Sequence, residues 1–209
     1  VVQVYVTSRP NNYFLPWSSS YTQDVTGSGC VISGNRIITN AHVIQDHTFI
    51  QVRRYGFPDR YEAKLVAVSH PADLAILTVE DPDFFKGITP LRVGGLPALK
   101  SKVNVYGYPT GGDNLSITEG VVSRIETTQY GHSLQNIFSI QLDAAVNGGN
   151  SGGPAISDGK VVGIIMQGLV GAENTNYMVP APIVEHFLND ISDGHYDGIP
   201  SLGIKVQNL

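Results

Sequence analysis

The chain has 209 residues, of which 42% are hydrophobic and only 15% charged, with a formal net charge of −5. Charge well below the roughly 25% of an average domain, with ample apolar content, excludes a disordered chain and a Glu/Lys-rich coiled coil. The acidic balance leaves no footprint for nucleic acid or an anionic membrane surface.

The pattern along the chain is one of short strands. The spacing of Val, Ile, Thr and Tyr predicts strands over 1–7, 29–33, 36–39, 49–53, 61–69 and 74–79. A break follows at 94–101, where Gly-Gly-Leu-Pro interrupts the pattern. Further strands are predicted over 102–107, 120–125, 137–142, 155–157, 161–166 and 176–179. Ser33-Gly34-Asn35, Asp113-Asn114 and Asp158-Gly159 mark turns between them. One helix is expected, after Pro180 and Pro182, with Ile183, Phe187 and Ile191 on one face. About a dozen strands and one late helix make an all-β protein, a sandwich or barrels. No apolar run approaches the ~18 residues of a membrane span. No signal-peptide pattern is present, and the compartment stays open.

Asn11–Ser20 carries Tyr13, Phe14 and Trp17 among Asn, Pro and Ser. These aromatics are either anchors of an interface or a flap folded back on the protein's own core. The single cysteine, Cys30, allows neither an intrachain disulfide nor a CxxC site, and reads as a small buried apolar residue. No HExxH or thiolate cluster is present, so neither a metal nor another cofactor is expected.

Three segments carry chemistry. Thr39-Asn40-Ala41-His42-Val43 places a histidine just after an apolar strand, in a turn or helix start. Asp73 heads the apolar run Leu74-Ala75-Ile76-Leu77, where burial would demand a partner for its carboxylate. Asn147-Gly148-Gly149-Asn150-Ser151-Gly152-Gly153-Pro154 surrounds one serine with glycines, which let the backbone turn its N–H groups toward a ligand. A serine nucleophile needs a base, the base an orienting carboxylate, and the oxyanion preorganised donors. The chain order His42, Asp73, Ser151 is that of chymotrypsin. Gly149-Asn150-Ser151-Gly152-Gly153 also spells the G-x-S-x-G elbow of α/β-hydrolases, but Pro154 and the strand after it forbid the helix that motif requires.

These segments resemble the signatures of the Deg/HtrA proteases, a branch of the trypsin-like serine endopeptidases. Gly27-Ser28-Gly29, Gly107-Tyr108-Pro109 and Asp143-Ala144-Ala145 support the resemblance. Tyr108 to Asp113 and Ala172-Glu173-Asn174 look like the branch of plant Deg proteases, with nuclear or organellar addresses, and bacterial relatives. The resemblance implies two perpendicular six-stranded β-barrels, over about 20–95 and about 102–180, with a helix over about 182–191. The catalytic residues would be His42, Asp73 and Ser151, in the cleft between the barrels, with Gly149, Asn150 and Ser151 forming the oxyanion loop. It implies trimers built through Tyr13, Phe14 and Trp17. It also implies a regulatory role for the loop 126–136, and a protease domain over 1–194. Residues 195–209 are then a linker and, at Leu202-Gly203-Ile204, the opening of a PDZ domain that is cut short.

The substrate pocket is expected at Ala145 and Val146, with Ile165, Met166, Gln167 and Gly168 as the other wall pairing with substrate backbone. No carboxylate lies at the position six residues before Ser151, so small or medium apolar residues are expected before the cleaved bond. Such a pocket discriminates loosely, which suits unfolded or damaged proteins as substrates in ATP-independent quality control. Gly148 departs from the family pattern, and its freedom motivates the alternative of a peptide-binding or chaperone module with an unassembled site.

Overall fold

Residues 2–78 form one seven-stranded antiparallel sheet. Its strands are β1 (Val2–Ser8), β2 (Gln23–Ile32), β3 (Arg36–Thr39), β4 (His47–Arg54), β5 (Arg60–Glu62), β6 (Lys64–Ser69) and β7 (Leu74–Thr78), in the order β5-β4-β1-β2-β3-β7-β6. The second half is a closed barrel of β8 (Lys102–Gly107), β9 (Ser116–Gln129), β10 (Asn136–Leu142), β11 (Pro154–Ser157), β12 (Lys160–Gly168) and β13 (Asn176–Pro180), followed by α1 (Ala181–Asp190). The computed structural model describes residues 1–18, 21–110, 112–130, 136–168 and 176–200, with backbone alone at 167 and 168.

The first half, expected as a six-stranded barrel, is a seven-stranded sheet whose two end strands, β5 and β6, are consecutive in the chain with only Ala63 between them, and β1 contributes a strand from outside the expected 20–95. The cause is β2. Its N-terminal part pairs with β1 through Val2↔Gly29, whereas Cys30↔Ile38 starts its pairing with β3. Gly29 sits at this changeover, where a Cβ would come within 3.0 Å of Ile37 Cγ2 and of the Ile38 carbonyl oxygen. Glycine here lets one strand serve two halves of a sheet. The predicted strand 61–69 breaks at Ala63, whose N–H donates to Ile50 O at 2.9 Å.

Three cores follow from the apolar runs. One lies in the first sheet (Val4, Val52, Leu77, Phe84) and one inside the barrel (Val103, Val105, Ile140, Ile165). The third joins the halves, with Ile38, Leu74 and Ile76 facing Ile164, Met166 and Phe187. β7 and β12 are buried on both faces, which explains why their sequences are continuous apolar runs rather than alternating ones. On α1 the buried residues are Ala181, Val184 and Phe187, so the buried face is displaced from Ile183, which is only partly covered. Leu91–Val93 crosses between the halves, with bridges Ile32↔Leu91 and Val93↔Val161. The chain after α1 stays docked to it: the Asp190 carboxylate accepts the Asp197 and Gly198 N–H groups, and Tyr196 packs edge-on against Phe187. Among the described residues no helix is long and apolar enough to cross a membrane.

Candidate active site

His42 opens a 3-10 turn (His42–Ile44) directly after β3. Asp73 precedes β7, the neighbour of β3, so one sheet brings the two together. Asp73 is fully buried and has φ +53°, a conformation that Asp tolerates better than most residues. Asn40 holds it there by donating from Nδ2 to the Asp73 carbonyl at 2.8 Å. The Asp73 carboxylate accepts the His42 backbone N–H at 2.9 Å, and His42 Nδ1 lies 2.8 Å from Oδ2. An ionised carboxylate can only accept, so Nδ1 carries the proton and the lone pair is on Nε2.

Ser151 comes from the other half. Its loop is built by glycines at positions where other residues fail. Gly152 has φ +84°, and a Cβ there would lie 2.1 Å from the Ser28 carbonyl oxygen. The Ser151 hydroxyl donates to the Met166 carbonyl at 3.3 Å. His42, Gly149 and Ser151 line one cleft of about 360 Å³, together with Asp24, Thr26 and Thr110.

The oxyanion loop has a defined pose. The Gly148 carbonyl accepts the Thr110 N–H at 2.7 Å, and the Gly149 carbonyl accepts the Ser28 hydroxyl at 2.7 Å. A trans peptide points its N–H opposite its carbonyl, so the Gly149 N–H faces away from Thr110 N. The Asn150 N–H donates to the Asn147 carbonyl at 3.1 Å. Of the three residues expected to form the oxyanion loop, Gly149 and Ser151 keep backbone N–H groups outside such a turn, and Asn150 contributes its shape.

Of the expected pocket residues, Ala145 is exposed and its carbonyl accepts the Thr118 hydroxyl, while Val146 packs against the barrel core. The side chains of Ile165 and Met166 are buried in the cores; the Ile165 backbone is bonded to Gly152 and Gly153, and the Met166 carbonyl accepts the Ser151 hydroxyl. Of Gln167 and Gly168 the described part is the β12 backbone. Tyr13, Phe14 and Trp17 are 86%, 94% and 83% exposed, which removes the reading of a flap onto the chain's own core. Cys30 is buried, and burial pushes its thiol up to about 12, as befits an inert core residue. Residues 131–135 of the expected regulatory loop, Gly111, Ala172-Glu173-Asn174 and Leu202-Gly203-Ile204 lie outside the described residues.

Three contributors carried no role in the sequence reading. Ser28 ties β2 to the nucleophile loop: its N–H donates to Ser151 O at 2.8 Å and its hydroxyl takes the Tyr108 N–H at 2.8 Å. Its place between Gly27 and Gly29 was the available signal, since tight packing there leaves room only for a small side chain. Asn40 had the proximity of His42 as its signal. Tyr130, just after β9, puts its hydroxyl 3.2 Å from His42 Nδ1, and nothing local in sequence points to it.

Comparisons with known proteins place the chain in a family. Residues 27–164, which contain His42, Asp73 and Ser151, match the trypsin-like peptidase domain family. "Protease Do-like 4, mitochondrial" of Arabidopsis thaliana is 45% identical over 99% of this chain and 40% of its own length. "Serine protease DegP homolog" of Plasmodium falciparum is 45% identical over 100% of this chain and 24% of its own. The chain thus spans less than half the length of either relative. The crystal structure of the active form of the Rv3671c protease from M. tuberculosis superposes with a TM-score of 0.75 at 27% identity, covering 95% of this chain and 83% of that one. The chain therefore belongs to the trypsin-like peptidase domain family, in its Deg/HtrA (protease Do-like) branch.

Proposed function

We propose that this chain is the catalytic domain of a serine endopeptidase that hydrolyses unfolded or damaged polypeptides after small or medium apolar residues, without ATP. The observation that carries the reading is the His42–Asp73 pair at 2.8 Å, with His42 and Ser151 lining the same cleft. Rotation of the Ser151 side chain from the Met166 carbonyl toward the imidazole would let Nε2 take the hydroxyl proton as Oγ attacks the substrate carbonyl. Such general-base catalysis contributes about 10²–10⁴ in rate. The N–H groups of Gly149 and Ser151 would stabilise the oxyanion. The imidazolium then gives its proton to the departing amine, leaving an acyl-enzyme, which water hydrolyses with His42 again as base. Asp73 keeps the imidazole in the required tautomer. The substrate preference follows from Ala145, which brings no charge to the pocket position, and from the β12 backbone available for strand pairing.

Casein turnover by the protein and by Ser151→Ala tests the reading. Turnover should vanish in the variant, and undiminished turnover refutes the assignment. Labelling with a fluorophosphonate separates this reading from a peptide-binding module: stoichiometric modification of Ser151 is expected, and a folded but unmodified protein would favour the module.

A further inference from the structure

The Asp73 carboxylate is fully buried and needs hydrogen-bond donors. Two come from His42, its backbone N–H and its ring Nδ1–H. A third comes from the other half of the molecule. Tyr130 is 2% exposed and belongs to the core between the halves, with Leu74, Met166 and Tyr177. Its hydroxyl lies 3.2 Å from His42 Nδ1, the ring edge that faces the Asp73 carboxylate. The Nδ1 proton points at the carboxylate, and the carboxylate cannot donate. The phenol proton therefore also goes to Asp73, and the phenol oxygen flanks the Nδ1 edge of the ring. Burial first, then the Asp73 charge, holds the phenol protonated far above its ordinary range, so the donor persists at every working pH.

We infer that Tyr130 is a positioning residue for the His42–Asp73 pair: it supplies a hydroxyl donor to the carboxylate across the junction between the two halves, sharing the negative charge that bears on the imidazole and holding the ring with Nε2 toward the cleft. The inference deepens the protease reading and rests on His42 being the base. It has a structural consequence. His42 and Asp73 both come from the first sheet, whereas Tyr130 follows the last residue of β9 in the barrel. The pair forms within one half, and its setting is completed only when the other half is docked.

The test reads His42 directly. The protein is labelled with ¹³C at histidine Cε1, and His42 is titrated by NMR, assigned through His42→Gln. Tyr130→Phe keeps the ring and removes the donor. A carboxylate with one donor fewer leans more of its charge on the imidazolium, so the His42 pKa rises by about half a pH unit. Hydrolysis of a chromogenic peptide slows several-fold with its acidic limb displaced the same way. Replacing Tyr130 by 3-fluorotyrosine, a stronger donor of almost the same size, moves both readouts down. The order Phe above Tyr above fluorotyrosine supports the inference. An unshifted His42, or the reverse order, overturns it, because a tyrosine that only fills the core would leave the titration unchanged. If Tyr130→Phe does not fold, the fluorotyrosine protein decides alone. Ser151→Ala in the same assay keeps the two readings apart: hydrolysis that survives it sinks the protease assignment, while the His42 titration still judges Tyr130.

Discussion

Ser28→Ala is the sharpest probe of how the two halves hold the nucleophile loop. The substitution removes one oxygen. With it go the bond to the Gly149 carbonyl at 2.7 Å and the bond from the Tyr108 N–H at 2.8 Å, while the Ser28 N–H to Ser151 O contact stays. Ser28 is fully buried and Gly149 and Tyr108 are buried too, so both orphaned groups lose a partner out of reach of solvent. Each unsatisfied group costs about 1–3 kcal/mol. Loop relaxation recovers part of that, so a loss of about 2–4 kcal/mol is expected, or roughly 5–10 °C in Tm for a domain of this size. The effect on catalysis is separate. Once its carbonyl is released, the Gly149–Asn150 peptide is free to turn, which leaves the adjoining Gly148–Gly149 peptide held by the Thr110 N–H alone; if that peptide turns too, losing the Gly149 N–H as an oxyanion donor lowers kcat by about 10²–10³. KM should change little. The assay is steady-state hydrolysis of a peptide with valine or alanine before the cleaved bond, beside thermal unfolding. Val52→Ala, a cavity in the core of the first sheet at a residue that does not line the cleft, is the control for destabilisation alone and should leave kcat near the parent value. A Ser28→Ala protein with kcat within about twofold of the parent would refute the reasoning, as would a comparable kcat loss in Val52→Ala.

Asp73→Asn keeps a side chain that tolerates φ +53° but permits the wrong imidazole tautomer; kcat should drop by about 10⁴ with the fold retained by circular dichroism. Cys30 should resist a thiol reagent at pH 8 in the native protein and react on unfolding. Because its thiol binds a proton more tightly when folded than when unfolded, the stability it contributes is whole below about 9, its ordinary value, and is lost as pH rises toward about 12. Chemical denaturation of Cys30→Ala across that window should therefore show a shallower alkaline decline. The exposed Tyr13, Phe14 and Trp17 are proposed to build a trimer: sedimentation of the parent should give a trimer, and Phe14→Ala with Trp17→Ala a monomer.

How much of this was legible beforehand depends on distance along the chain. The glycines around Ser151, the histidine after an apolar strand and the aspartate at the head of another are local patterns, and each marks a position whose backbone or burial is set by its immediate neighbours. The continuous runs Leu74–Leu77 and Val161–Met166 read as strands, and the structure supplies the reason they do not alternate, since both faces are covered. Strand bounds were poorer where residues are polar on a hairpin: β9 extends over Ser116–Gln129, beyond the predicted 120–125, because cross-strand pairing with β8 and β10 sustains it.

The amino-acid order by itself determined the all-β class and the late helix, and singled out His42, Asp73 and Ser151 as the candidates for chemistry. Only the tertiary structure decided that β1 joins the first half's sheet, that Asn40 pins Asp73 and Ser28 pins Gly149, and that Tyr130 reaches the histidine. These contacts span 33, 121 and 88 positions along the chain. A local pattern records what a residue needs from its neighbours. It does not record which distant donor meets a buried acceptor, because that pairing exists only once the two halves close on their shared core.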